Sequence, residues 1–255
     1  MSHGRALIEV RDLAVGYAGK ALLKDLSFDV HRGEVLAILG GSGSGKSTVL
    51  KHMIGLYAPI AGHVLIDGED LAVAEGERRR RILRKFGVMY QHGALFGSMT
   101  LLENVRLPLE VYTDLGDQAI DLVARTKLDL VQLGAHEGRM PAELSGGMRK
   151  RGAIARAMAL DPEILFLDEP SAGLDPITSA ELDELILRLS RNLGMTFVVV
   201  THELPSVFAI ANRVIMLDPR VKGIVAQGDP RTLRCESDDA WVRAFFNRQP
   251  AEDAA

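Results

Sequence analysis

Apolar residues fall along this chain in two rhythms. The first third carries short β-like runs at 7–10 and 27–30, and the turn His31-Arg32-Gly33-Glu34 leads into a third at 35–39. That third run is nearly all apolar, as expected of a parallel strand buried on both faces. A glycine-rich turn fills 40–45, and beyond it Val49, Leu50, Met53 and Ile54 recur at helical spacing. Residues 62–68 read as an exposed strand ending at a turn, and 75–85 as a charged helix feeding a strand at 86–90. From about 92 to 160 long β-branched runs cease, and the pattern predicts several helices broken at Pro108, Gly116, Gly134 and Pro141. Strand-like runs return at 164–167, 196–200 and 214–217, with a helical pattern over 178–193 between the first two. The alternation predicts an α/β fold: an open parallel sheet with right-handed crossovers, a β-rich N-terminal lobe and an inserted helical lobe.

Composition narrows the setting. With 255 residues, 47% of them hydrophobic, the chain can bury one large core. The expected organisation is a single domain over 1–246, a helical subdomain near 92–160 and a short polar tail at 247–255 that frays. A net charge of 30 − 34 = −4 gives no electrostatic case for a nucleic-acid partner. The single cysteine, Cys235, cannot form an internal disulfide and fits a reducing compartment. Apolar runs such as 164–167 and 197–200 fall far short of the ~20 residues that span a bilayer, and 1–11 holds no apolar stretch of signal-peptide type. A soluble, cytoplasmic protein is expected, one that would serve a membrane only through a partner. The basic stretch 78–81 with Arg84 and Lys85 reads as a solvated helix face beside Glu75 and Glu77.

Three segments carry chemistry. Gly40-Gly41-Ser42-Gly43-Ser44-Gly45-Lys46-Ser47 matches G-x-x-x-x-G-K-[ST] in full, between a buried strand and an amphipathic helix. Glycines let successive backbone N–H groups converge on phosphate oxygens, and the helix N-terminus adds a favourable dipole. Lys46 supplies a mobile charge for the β- and γ-phosphates, and Ser47 a hydroxyl for Mg²⁺. A glycine-rich turn alone would be only a turn; Lys-Ser and the flanking pattern make it a phosphate site. Residues 164–167 are four apolar residues that end in Asp168-Glu169. Asp168 suits a place in the octahedral shell of Mg²⁺, and Glu169 the orientation and deprotonation of an attacking water. Leu144-Ser145-Gly146-Gly147-Met148 sets a good N-cap, Ser145, before a helical stretch at 149–160, which makes a second anion-binding helix terminus.

These motifs, in this order and joined by Pro170, Ser171-Ala172-Gly173-Leu174-Asp175 and Thr201-His202, closely resemble the ATPase subunits of ATP-binding-cassette transporters from about residue 7 to 228. The resemblance implies a P-loop NTPase (RecA-like) parallel-sheet core and Mg²⁺-dependent ATP hydrolysis. It further implies that two copies close head to tail, with ATP between Lys46 of one and Ser145, Gly146 and Gly147 of the other. Nucleotide contact would then involve Tyr17, stacked on adenine, and Gly40, Gly41, Ser42, Gly43, Ser44, Gly45, Lys46, Ser47 and Thr48. Glu169, His202 and Gln91 would be catalytic, His202 at the γ-phosphate and Gln91 at Mg²⁺ and water. Ser47, Gln91 and Asp168 would face the metal, and Asp175 would communicate across the dimer. Met148 departs from the family, many members of which carry glutamine there.

Three further stretches are similar to the ATPases of MCE-type (Mla-like) bacterial phospholipid transporters: Gln91-His92-Gly93-Ala94-Leu95-Phe96, the run 201–208, and Trp241-Val242-Arg243-Ala244-Phe245-Phe246-Asn247-Arg248. That similarity implies separate integral-membrane permease subunits, an MCE-domain lipid-binding protein and a place on the cytoplasmic side of the inner membrane. An importer ATPase for small solutes such as amino acids, ions or metals is the alternative, and a regulatory ATPase acting on DNA or the translation machinery a third.

Overall fold

The computed structural model describes residues 6–91 and 93–249. In chain order its strands are β1 (Ile8–Tyr17), β2 (Lys20–Val30), β3 (Val35–Gly40), β4 (Ala61–Ile66), β5 (Glu69–Asp70), β6 (Phe86–Met89), β7 (Ile164–Asp168), β8 (Thr196–Val200), β9 (Arg213–Asp218) and β10 (Gly223–Gly228). The helices are α1 (Lys46–Met53), α2 (Gly76–Arg84), α3 (Leu101–Tyr112), α4 (Asp117–Leu130), α5 (Gly146–Ala157), α6 (Pro176–Leu193), α7 (Leu204–Ile210), α8 (Pro230–Glu236) and α9 (Ala240–Asn247).

The strands form two sheets. One is antiparallel, in the order β2-β1-β4-β5, and is the expected N-terminal β lobe. The other runs β10-β9-β3-β8-β7-β6, with five parallel strands and β10 antiparallel at one edge. Strands β3, β7 and β8 are buried at every residue, as their unbroken apolar character requires. Alternate side chains serve opposite faces. Ile164 and Phe166 join the cluster built with α1 and the antiparallel sheet, whereas Leu165 and Leu167 join the one built with α3 to α6. Each such side chain, fully buried, contributes about 1.5–3 kcal/mol. A third cluster seats Val242 and Phe246 of α9 against Met216 and Leu39.

The topology fixes where chemistry can occur. β3 lies beside β8, β8 beside β7 and β7 beside β6, all parallel, so their C-terminal ends open on one edge. Ile38 pairs with Val200, Asp168 with Val200, and Met89 with Leu167. The residues that follow these strands therefore meet in one crevice, the usual ligand site of an open α/β sheet.

One expectation needs correction. Pro108 does not break a helix: α3 runs through it from Leu101 to Tyr112. Proline costs one backbone donor, but Leu101, Val105 and Leu109 bury on either side of it and hold both halves to one cluster. The basic stretch is a solvated helix face, as expected, with Arg78, Arg80, Arg81 and Arg84 exposed. Arg78 and Arg81 pair with Glu69 and Arg80 with Glu77, while Arg79 turns inward to donate to the Leu71 and Gly55 carbonyls. The breaks expected at Gly116, Gly134 and Pro141 all fall at helix starts. Of the expected fraying tail, Asn247 closes α9 and residues 250–255 lie outside the described residues. Among the described residues no helix is long and apolar enough to cross a membrane.

Candidate nucleotide site

β3 ends at Gly40, and the chain must turn sharply into α1. Gly40 has φ +151°, and a Cβ there would lie 2.4 Å from the Ser44 Oγ and 2.6 Å from the Leu217 carbonyl oxygen, so no other residue fits. The turn delivers the N-terminus of α1, with its unsatisfied N–H groups, to the mouth of the sheet. Lys46 is 8% exposed, and its ammonium donates to the carbonyls of Gly40 at 3.0 Å and Gly41 at 2.9 Å. Burial pulls its pKa down, while the nearby Glu169 and Asp168 carboxylates pull it up. The Ser47 hydroxyl donates to Asp168 Oδ1 at 3.0 Å. Burial raises the Asp168 pKa, and that hydrogen bond opposes the rise.

One residue beyond β7, Glu169 adopts φ +48°, a left-handed conformation uncommon outside glycine. Its N–H donates to the Val200 carbonyl at 2.8 Å, which ties the strained residue to β8. Its carboxylate is buried. Oε1 lies 2.9 Å from Nδ1 of His202, and Oε2 has no hydrogen-bond partner among the described residues. A buried carboxylate oxygen beside a cavity is an acceptor without its donor. The cavity measures about 630 Å³ and is lined by residues 40–48, Gln91, Glu169 and His202, with Leu22 and Phe245 at its edges. The hard oxygens of Ser47 and Asp168, held together at 3.0 Å, suit Mg²⁺, which takes one or two protein ligands and fills the rest of its shell from phosphate and water.

Other expected site residues lie apart from this wall. Tyr17 is half exposed; its hydroxyl is 3.0 Å from the Thr48 hydroxyl and its ring packs edge-on against Tyr57. Ser145, Gly146, Gly147 and Asp175 do not line the cavity. Ser145 caps α5, its Oγ accepting from the Met148 N–H at 3.2 Å. Gly147 has a packing reason of its own, since a Cβ there would lie 2.3 Å from Thr178 Cγ2 on α6. Asp175 caps α6, accepting from the Ile177 and Thr178 N–H groups at 3.0 and 3.1 Å. His92, within the stretch likened to lipid-transporter ATPases, lies outside the described residues. Two neighbours of the site were not assigned to it from the sequence. Phe245 arrives from α9, about 200 residues after the glycine-rich turn, and Lys150 of α5 donates to the main-chain oxygens of Gln91 and Glu169.

The family model described as ABC transporter matches residues 23–172, more than half of the chain. The intermembrane phospholipid transport system ATP-binding protein MlaF of Escherichia coli is 38% identical over 94% of this chain and 88% of its own length. The probable ribonucleotide transport ATP-binding protein mkl of Mycobacterium leprae is 40% identical over 94% of this chain; the chain spans 68% of that protein. Among solved structures, a dimeric post-hydrolysis state of the ATP-binding cassette MJ0796 bound to ADP and Pi superposes with a TM-score of 0.78 at 30% identity, covering 87% of this chain and 98% of that one. A phosphate cradle at a sheet edge, an acid pair beside it and likeness over nearly the whole length lead to one conclusion: the chain belongs to the ABC transporter family and is an ATP-hydrolysing cassette of it.

Proposed function

We propose that this cassette powers the movement of phospholipid or a related lipid, working through a separate integral-membrane permease and an MCE-domain protein at the cytoplasmic face of a bacterial inner membrane. The observation that carries this reading is the likeness to MlaF, which extends over 94% of the chain and reaches beyond the nucleotide motifs shared by all cassettes.

In the proposed cycle the Gly40–Gly45 main chain and the α1 N-terminus hold the triphosphate, and Tyr17 takes the adenine on its exposed ring. Lys46 exchanges the Gly40 and Gly41 carbonyls for phosphate oxygens. Ser47, Asp168 and Gln91 would hold Mg²⁺, which would supply charge neutralisation on the phosphates. Glu169 accepts a proton from water as the water oxygen bonds to the γ-phosphorus and the bond to the β-phosphate bridging oxygen breaks. His202, 2.9 Å from Glu169, fixes the carboxylate and faces the γ-phosphate. Ser145, Gly146 and Gly147 serve the nucleotide of a second copy, a reading supported by the likeness to a dimeric cassette. The helical lobe passes closure to the permease, with residues 94–99 near that contact.

The name of the mkl relative favours a second reading, transport of a small solute. Purification of the tagged chain from native membranes, followed by identification of its partners, separates the two. Recovery of an MCE-domain protein with the permease supports lipid transport. Recovery of a periplasmic solute-binding protein supports import, and retention in a soluble complex with nucleic acid or ribosomes supports a regulatory role; either removes the lipid reading.

A further inference from the structure

Helix α5 begins at Ser145 and Gly146 and runs back toward the cavity of its own chain. Two cations on it are unusual in what they touch. Lys150 is 7% exposed, and its ammonium donates to the Gln91 carbonyl and, at 3.0 Å, to the Glu169 carbonyl. Arg156, nearly two turns on, donates to the Gly93 carbonyl at 3.2 Å and the Ala94 carbonyl at 2.6 Å, its guanidinium lying 5.8 Å from the Phe96 ring. Among the described residues neither makes a salt bridge. Burying an ammonium is costly unless its hydrogen bonds are made, and a neutral donor would reach a carbonyl at lower cost. Lys150 instead spends its charge on the main chain of two separate loops, one after β6 and one after β7. Bonds from a charged donor are roughly twice as strong as neutral ones.

We propose that Lys150, supported by Arg156, is a positioning residue. It fixes the backbones of Gln91 and Glu169 to α5, so that the place of the Ser145 end of the helix sets the place of the water-activating carboxylate. The proposal rests on the roles given above to Glu169 and Gln91. Lys150 touches neither nucleotide nor water in this scheme; it acts by holding the groups that do. Displacement by about 1 Å at a reacting group commonly costs about a hundredfold in rate, so two hydrogen bonds on loop backbones are enough to matter.

The test uses the full chain with Mg·ATP and three variants: Lys150→Met, Lys150→Gln and Gln91→Ala. Steady-state hydrolysis and hydrogen exchange are measured on each. Lys150→Met is expected to lower kcat at least about tenfold with KM changed by less than about twofold, the split of a residue that acts on the transition state alone. Exchange should rise in the segments 90–97 and 168–172 while 40–48 stays protected. Lys150→Gln, which keeps a donor nitrogen but loses the charge, should fall between. A kcat near that of the unchanged protein, with Gln91→Ala impaired, overturns the proposal. So does exchange that rises throughout the chain, or failure of both Lys150 variants to fold, since each makes Lys150 a general stability residue. Full activity in Gln91→Ala removes the role of Gln91 instead, and the exchange of 168–172 then decides the case for Lys150.

Discussion

Asp183 on α6 shows what a buried charge costs when no cation answers it. It is 7% exposed, and burial raises its pKa from 3.8 to about 6, opposed only by a hydrogen bond from Ser206. The folded state therefore holds a proton that the unfolded chain has released across that interval. Stability from this group is full below pH 3.8 and is lost as pH rises toward 6. Asp183→Asn should gain on the unchanged protein by about 2 kcal/mol between pH 4.5 and 7.5. Denaturant melts at the two pH values measure this, and a gap that does not move with pH would contradict it. Residues of this kind were invisible in the sequence. Lys46, Ser47, Asp168, Glu169 and His202 could be read because each follows an apolar strand or a complete phosphate motif. Asp183 and Lys150 lie on amphipathic helices, where a polar letter looks like solvent until the packing partner is known.

At the scale of elements the sequence did best where burial is on both sides. The runs at 164–167 and 196–200 became β7 and β8 with at most one residue of difference, because nothing but a central strand explains unbroken apolar character. The runs at 7–10 and 27–30 instead proved to be the ends of longer strands, β1 and β2, with several exposed residues and irregular register. Pro108 misled for the opposite reason, as tertiary burial overrode its local preference. β10, α8 and α9 were not expected as elements, each being short and close to the end of the fold. Asp175 shows how a cap can be mistaken for a functional contact, or the reverse. Asp175→Ala should lower the melting temperature by removing the α6 cap, whereas Asp175→Asn should keep most of the cap. If Asp175 also communicates between copies, Asp175→Asn will hydrolyse ATP more slowly at unchanged melting temperature. Equal activity in Asn and unchanged protein would leave Asp175 as a cap and nothing more.

For the whole molecule, the topology explains why so much of the site was legible. Four parallel neighbours, β3, β8, β7 and β6, each deliver one segment to the same edge, so order along the chain translates directly into proximity. The second half of the proposed site is another matter. Ser145 and Asp175 cap helices away from the cavity, and only the likeness to a dimeric cassette points to the copy they would serve. Both halves meet in one variant. Glu169→Gln removes the base but leaves the phosphate cradle, Lys46 and Asp168 intact. The decisive measurement is its rate of ATP hydrolysis together with the ATP retained on the protein during gel filtration. Turnover slower by about 10²–10⁴, with ATP held on a dimer, is expected. Hydrolysis near the rate of the unchanged protein would show that Glu169 is not the base.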